Sequence, residues 1–346
     1  MNLARCAPLA PRILGHGLWV TALLLLAVMA GVAIGETSIS APVIAQVLAN
    51  KLWAAGYVLD PIDEGIVWNY RLTRAMVAAA CGAGLAVAGV VLQSLLRNPL
   101  ADPYLLGISA GASTGAVLVS LIGLGAGAVS LSTGAFVGAV AAFTLVALLA
   151  RCSAGSTAAG QIILAGIAGS QLFNAVTSFL ITRSANAEQA RGIMFWLLGN
   201  LSGVRWPSVA LAVPVVLLGL AVCLWHRRAL DAFTFGSDSA AAMGIAVRRV
   251  QVTLIATAAL VTAVMVSMVG SIGFVGLVIP HAVRLLVGVR HARVLPLSAL
   301  CGALFLIAAD VLSRTLIQGQ VLPIGVVTAL IGAPVFALIL LRGQRR

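Results

Sequence analysis

The sequence predicts an all-α polytopic membrane protein with about ten transmembrane helices per subunit, and three observations predict it. Of 346 residues, 61% are hydrophobic and 9% charged, whereas soluble domains keep roughly a quarter of theirs charged. Apolar runs close to the roughly 20 residues that a helix needs to cross a bilayer recur along the whole chain. The polar stretches between them are too short for a soluble domain, so residues 1–346 read as a single membrane domain.

The first run, 15–35, follows Arg5 and Arg12. Ala30-Gly-Val-Ala33 resembles a signal cleavage site, but further spans follow, so the run reads as an uncleaved first span. Segment 36–70 holds Glu36, Asp60, Asp63 and Glu64 and reads as an interfacial loop with a short amphipathic helix. Spans 72–95, 104–122, 130–150 and 160–182 come next. Asn98-Pro99 and Asp102-Pro103 separate the first two, because proline ends a helix and Asn or Asp satisfies the freed backbone groups. Segment 183–206, with Arg183, Glu188 and Arg191, reads as a second interfacial loop with a short helix. Spans 207–225 and 250–269 flank a polar loop, 227–249. Gly270-Ser-Ile-Gly-Phe-Val-Gly is a poor helix interior and parts 250–269 from 272–289. Spans 295–314 and 322–341 complete the ten.

Ten spans put both termini on one side. With the termini inside, fourteen of the 21 basic residues fall on the cytoplasmic side and seven outside, as the positive-inside rule requires of an inner-membrane protein in bacteria. A net charge of +12 with a pI near 11.1 would suggest nucleic acid in a soluble protein. Here the basic residues sit between apolar runs, so they are topology signals and nucleic acid is not a partner. Lys51 is the single lysine and stands outside any Gly-x-x-x-x-Gly-Lys pattern, so the chain has no Walker-type ATP site and is not read as an enzyme. His16, His226, His281 and His291 lack metal-ligand spacing, and five scattered cysteines form no disulfide or zinc pattern. No cofactor is expected in this chain.

Several patterns inside the spans admit two readings. Gly107, Gly111 and Gly115 recur every fourth residue, as do Gly134 and Gly138, which suits close helix packing. Gln171, Asn174 and Ser178 share one face of the fifth span and either line a water path or tie helices together. Asp310 and Arg314 are one turn apart and suit an internal ion pair. Gly107-Ile-Ser109-Ala resembles the serine motif of intramembrane rhomboid proteases, with His281 as a partner. Ser109 sits among small residues, however, where serine is an ordinary packing residue. An ion-coupled secondary transporter should carry a carboxylate in mid-span, yet Asp102 and Asp310 lie near span ends.

The most specific stretches are Arg71-Leu-Thr-Arg74 and Leu95-Leu-Arg97-Asn-Pro-Leu-Ala-Asp102-Pro-Tyr-Leu-Leu-Gly107-Ile-Ser-Ala-Gly111. Phe195-Trp-Leu-Leu-Gly199 and Gly270-Ser-Ile-Gly-Phe-Val-Gly-Leu-Val-Ile-Pro280-His-Ala-Val-Arg284 follow. Leu295-Pro-Leu-Ser-Ala-Leu and Leu322-Pro-Ile-Gly-Val-Val-Thr-Ala-Leu-Ile-Gly-Ala-Pro334 complete the series. In this order they resemble the FecCD-type permease family, which imports ferric siderophores, haem and vitamin B12. The resemblance covers about residue 68 to the C terminus. It implies ten helices per subunit and a homodimeric pore made with a second copy. It also implies two cytoplasmic ABC ATPases holding ATP and Mg, and a periplasmic substrate-binding protein. A ferric siderophore is the first cargo it suggests, with haem and cobalamin next.

The resemblance assigns roles residue by residue. Loop 227–249 resembles the coupling helices that seat on the ATPase, through Leu230, Phe233, Phe235, Gly236, Asp238, Met243 and Gly244. Phe233, Phe235, Ala240 and Met243 are expected on one apolar side of two short helices split at Gly236, with Ser237 or Asp238 capping the second. The family usually has acidic residues where Ser237-Asp238 stands, and one is missing. Arg71, Arg74 and Arg314 are expected on the outer face, where arginine forks suit carboxylates of the binding protein. Asn98, Leu100, Ser156 and Thr157 are expected at the inner gate, while Gln171, Asn174 and Ser178 are pore candidates from their shared helical face alone.

Overall fold

A computed structural model gives the fold, and it describes residues 9–122, 130–152, 158–183 and 187–343. Among these residues the secondary structure is helical, apart from one isolated bridge between Ile317 and Gln320. The helices in chain order are α1 (Leu9–Ala33), α2 (Ala41–Trp53), α3 (Pro61–Glu64), α4 (Thr73–Leu95), α5 (Ile108–Ile122), α6 (Leu131–Cys152) and α7 (Ala158–Thr182). They continue with α8 (Ala187–Leu197), α9 (Trp206–Trp225), α10 (Arg227–Phe233), α11 (Ser237–Ala242), α12 (Val247–Val269), α13 (Val275–Val287), α14 (His291–Thr315) and α15 (Ile324–Gly343).

Among the described residues six helical segments are long and apolar enough to cross a membrane: Pro61–Leu95, Leu131–Arg151, Gly160–Thr182, Trp206–Trp225, Val247–Val269 and His291–Thr315. Trp19–Ala33, Ile108–Leu121, Val275–Val287 and Ile324–Ile339 are apolar but shorter. Each expected span falls on one of these segments. The two expected interfacial helices are α2 and α8. The largest boundary difference is in the second span, which starts at Pro61, not at 72. Asp60 caps it by accepting the Ile62 N–H at 2.8 Å, and Pro61 suits the first helical position because its missing donor is not needed there. A π-helical stretch, Gly65–Leu72, then joins α3 to α4 without a break.

Helix α4 is the axis of the bundle. Nearly all its residues are buried, and α9, α12, α13 and α14 pack around it. Ala and Gly dominate its sequence, so neighbouring backbones come close: a Cβ at Gly82 would stand 2.1 Å from Gly302 O of α14. The expected glycine groove joins α5 to α6, since a Cβ at Gly115 would stand 2.0 Å from Gly134 O. In α13, Pro280 lacks the N–H that would bond Gly276 O. Gln93 of α4 supplies a donor instead, its Nε2 lying 3.2 Å from both Gly276 O and Leu277 O. Arg284 in turn donates to Gln93 Oε1. The break in α13 is thereby closed by its neighbour.

Candidate functional site

Two polar clusters mark opposite ends of the α4–α14 pair. Arg74 and Ser94 of α4 are 20 residues apart, or about 30 Å along a helix, close to the thickness of a bilayer core. One cluster holds the arginines at the start of α4. The other joins its end to the loop between α9 and α12.

That loop folds as α10 and α11. Ala229, Leu230, Ala232, Phe233 and Ala240 are buried and pack in one cluster with Val90 and Val91 of α4, Leu254 of α12 and Leu295 of α14. Phe235 is 77% exposed and Met243 59%. The expected single apolar side is therefore two: Leu230, Phe233 and Ala240 hold the loop to the bundle, while Phe235 and Met243 face outward. Gly236 divides the helices as expected, at φ 107°, where a side chain would be strained and a Cβ would stand 3.3 Å from Arg97 Nη1. The expected side-chain cap is absent. Gly236 occupies the N-cap position, and Ser237 and Asp238 lie in the first turn, where Asp238 favours the helix dipole. Gly244 ends the second helix region at φ 78°.

The sequence alone assigns no shared role to Asp231, Ser94 and His291, which the fold brings together. His291 Nδ1 lies 2.7 Å from Asp231 Oδ1, its backbone N donates to the same oxygen at 2.9 Å, and its Nε2 lies 2.6 Å from Ser94 Oγ. Helix α10 is thus tied to α14 and α4 through one imidazole that is 1% exposed. The connectivity is that of a hydrolase triad, but Ser94 is itself buried and donates to Val90 O at 2.8 Å, so no acyl group can reach it. The hydroxyl of Ser109, the serine of the other candidate motif, donates to Ser271 Oγ at 2.9 Å and not to a histidine. The signal available was Asp231, which with Asp238 is one of two acids in loop 227–249.

At the far end, Arg71, Arg74, Arg314 and Asp310 are each at most 2% exposed. Arg74 Nε meets Asp310 Oδ1 at 2.6 Å and Arg314 Nη2 meets Oδ2 at 3.0 Å, so the expected ion pair of Asp310 is present and shared. Arg74 also donates to Tyr70 Oη at 2.7 Å and Ser202 Oγ at 2.9 Å. Arg71 donates to Val32 O at 3.1 Å and to Thr37 O, and Arg314 Nη2 donates to Gly31 O at 3.0 Å. The last carbonyls of a helix lack intrahelical donors and carry its negative pole. Two arginines therefore cap α1, and one carboxylate balances the third. All three guanidiniums are buried and hydrogen-bonded within the chain at the end of the bundle opposite the α10–α11 loop. Among the described residues, Arg314 Nη1 is the one guanidinium nitrogen of the cluster that is buried without a hydrogen-bond partner.

The residues expected at the pore, Gln171, Asn174 and Ser178, are exposed on one face of α7, while Thr177 turns inward to Thr114, their hydroxyl oxygens 2.7 Å apart. Asn98 accepts from Leu100 N at 2.9 Å, and Leu100 is 48% exposed beside that turn. Ser156 and Thr157 lie outside the described residues. Asp102 repeats the same turn chemistry, accepting from Tyr104 N at 2.8 Å, and burial raises its carboxyl pKa to about 6 against the pull of that bond. Among the described residues no group of three His, Cys, Asp or Glu side chains is placed to hold a metal ion.

Comparison with known proteins places these features in context. The profile of the FecCD transport family matches residues 23–342. An uncharacterized ABC transporter permease of Bacillus subtilis is 39% identical over 326 residues, covering 93% of this chain and 92% of that protein. The cobalamin import system permease of Halobacterium salinarum is 44% identical over 280 residues, covering 80% and 73%. The hemin transport system permease of Yersinia pestis is 37% identical over 285 residues, covering 81% and 84%. A solved structure described as an inward-facing metal-chelate type ABC transporter superposes with a TM-score of 0.81 at 30% identity, covering 96% of this chain and 99% of that one.

Proposed function

The chain belongs to the FecCD transport family, and from that premise we propose that it is the permease of an ABC importer that carries a ferric siderophore across the inner membrane into the cytoplasm. The observation that carries this reading is the α10–α11 pair. It is rooted in the bundle by Leu230 and Phe233 and presents Phe235 and Met243 outward, as a helix-in-groove contact with a motor subunit requires. ATP is hydrolysed by two separate ATPase subunits, and closure reaches the spans through this loop.

A second copy completes the pore. Gln171, Asn174 and Ser178 lie exposed on a helix at membrane depth. Polar groups facing lipid there are unfavourable, so a partner subunit and a water-filled path between copies are the natural cover. Ten crossings put both termini in the cytoplasm together with the α10–α11 loop. Cargo arrives on a periplasmic binding protein at the opposite end. Arg74 and Arg314 share the Asp310 carboxylate, Glu36 and Asp63 lie near Arg71, and Arg314 Nη1 is left buried without an acceptor. A carboxylate of the binding protein fits that donor once the outer segment moves aside.

Named relatives carry cobalamin, hemin or Fe(3+) dicitrate. Reconstitution with the cognate ATPase and binding protein, followed by uptake of a radiolabelled ferric siderophore, haem and cobalamin, decides among them. ATP-dependent, vanadate-sensitive uptake of the siderophore is the expected result. Preferential uptake of haem or cobalamin replaces the cargo. Uptake by the chain without any ATPase overturns the importer reading.

A further inference from the structure

A cavity of about 580 Å³ opens between α6, α7 and α12, at the end of the bundle that carries the α10–α11 loop. Its polar groups lie in one layer. Arg151 is in the last turn of α6, Gln161 in the first turn of α7 and Arg248 in the first turn of α12. Apolar side chains line the rest, with Phe143 and Val146 on α6 and Val252 and Ile255 on α12. Among the described residues no carboxylate lines it, and both arginines are exposed at its rim.

The depth of the apolar wall is informative. Helix α6 runs toward the rim and α12 away from it. Phe143 precedes Arg151 by eight residues, and Ala256 follows Arg248 by eight. Each stretch is about 12 Å of helix, nearly the roughly 15 Å of hydrocarbon in one leaflet. Two guanidiniums at one level, above an apolar wall of leaflet depth, match an amphiphile with an anionic head and an acyl tail. A free anion would not use the wall, and a neutral lipid would not use the arginines.

We infer that this cavity is a binding site for an anionic phospholipid, its phosphate held by Arg151 and Arg248 and an acyl chain lying along α6 and α12. Basic pockets between transmembrane helices attract anionic head groups in this way. The leaflet rests on the orientation proposed above; the binding does not, and its test needs neither an ATPase nor uptake.

Native mass spectrometry of the delipidated full chain, titrated with dioleoyl phosphatidylglycerol and with dioleoyl phosphatidylcholine, tests the site at matched acyl chains. Saturable phosphatidylglycerol binding about 30-fold tighter than phosphatidylcholine is expected, from two arginines near a lipid head group. The preference should disappear in Arg151→Gln/Arg248→Gln. Ala147→Phe, which fills the apolar wall and keeps both charges, should weaken both lipids alike; should the double variant fail to fold, this variant carries the test. Equal affinity for the two lipids overturns the inference, as does a preference that survives loss of both arginines or binding of both lipids unchanged in Ala147→Phe. Full competition by glycerol phosphate also overturns it, because the site would then be one for free phosphate.

Discussion

The Asp231 carboxylate accepts two hydrogen bonds from His291, from Nδ1 at 2.7 Å and from the backbone N at 2.9 Å. Asp231 belongs to α10 and His291 opens α14, so a displacement of the outward loop is felt at once by a helix that runs the length of the bundle. Ser94 extends the tie to α4 through Nε2. Under the proposed function, this tie is the route by which motion of the loop would become motion of the spans.

His291→Ala should therefore uncouple transport. Uptake per ATP hydrolysed in proteoliposomes should fall by about 2- to 30-fold, the range of coupling energies carried by single contacts, while ATP hydrolysis continues. Asp231→Asn keeps an acceptor oxygen and should retain more coupling than Asp231→Ala. An unchanged uptake-to-hydrolysis ratio, with only the melting temperature lowered, would assign His291 to stability alone.

The two phenylalanines of the loop should separate cleanly. Phe235 is exposed, so Phe235→Asp should leave the chain folded and weaken capture of the ATPase by about 30-fold, as loss of an aromatic anchor does. Phe233 is 2% exposed, so Phe233→Asp buries an unpaired charge and should abolish a monodisperse peak on size exclusion. Equal effects of the two variants on ATPase capture, with both chains folded, would contradict the division of the loop into rooted and presented faces.

Asp310 is the single carboxylate against Arg74 and Arg314. Asp310→Ala leaves two buried guanidiniums without a counter-charge and should cost about 3–5 kcal/mol, read as a large fall in the melting temperature of the detergent-purified chain. Arg74→Met/Asp310→Leu/Arg314→Met removes the charges together and should melt above the single variant. If the single variant melts higher, the cluster is not held by charge pairing.

Much of this was legible in the sequence, because lipid imposes a coarse rule: an apolar run of bilayer length must be a helix. Hence each expected span coincides with a helix, and the Gly115–Gly134 contact follows from a four-residue repeat that only close packing explains. What escaped is what depends on the third dimension. Arg71 and Arg314 read as outer-surface arginines because their distance from the end of α1 in sequence hides that they cap it. Phe233 and Phe235 look alike in a short loop, yet Phe233 ends α10 against the bundle and Phe235 stands outward in the turn beyond it. The start of the second span was misplaced because a π-helical stretch carrying Asn69, Tyr70 and Arg71 lacks the apolar periodicity that marks a span.

A last expectation concerns pH. Burial raises the Asp102 carboxyl from 3.8 to about 6. An acid whose folded pKa exceeds its unfolded one binds more protons folded than unfolded between those values, so stability declines as pH rises from about 4 to about 6 and is level above. Asp102→Asn keeps an oxygen for the Tyr104 N–H and removes the charge. The variant should melt a few degrees above the parent at pH 7.5, and the gap should narrow as pH falls to 5. Only the acid loses its burial penalty on protonation, so a gap that is constant from pH 5 to 7.5 would place the effect in packing and not in the ionisation of Asp102.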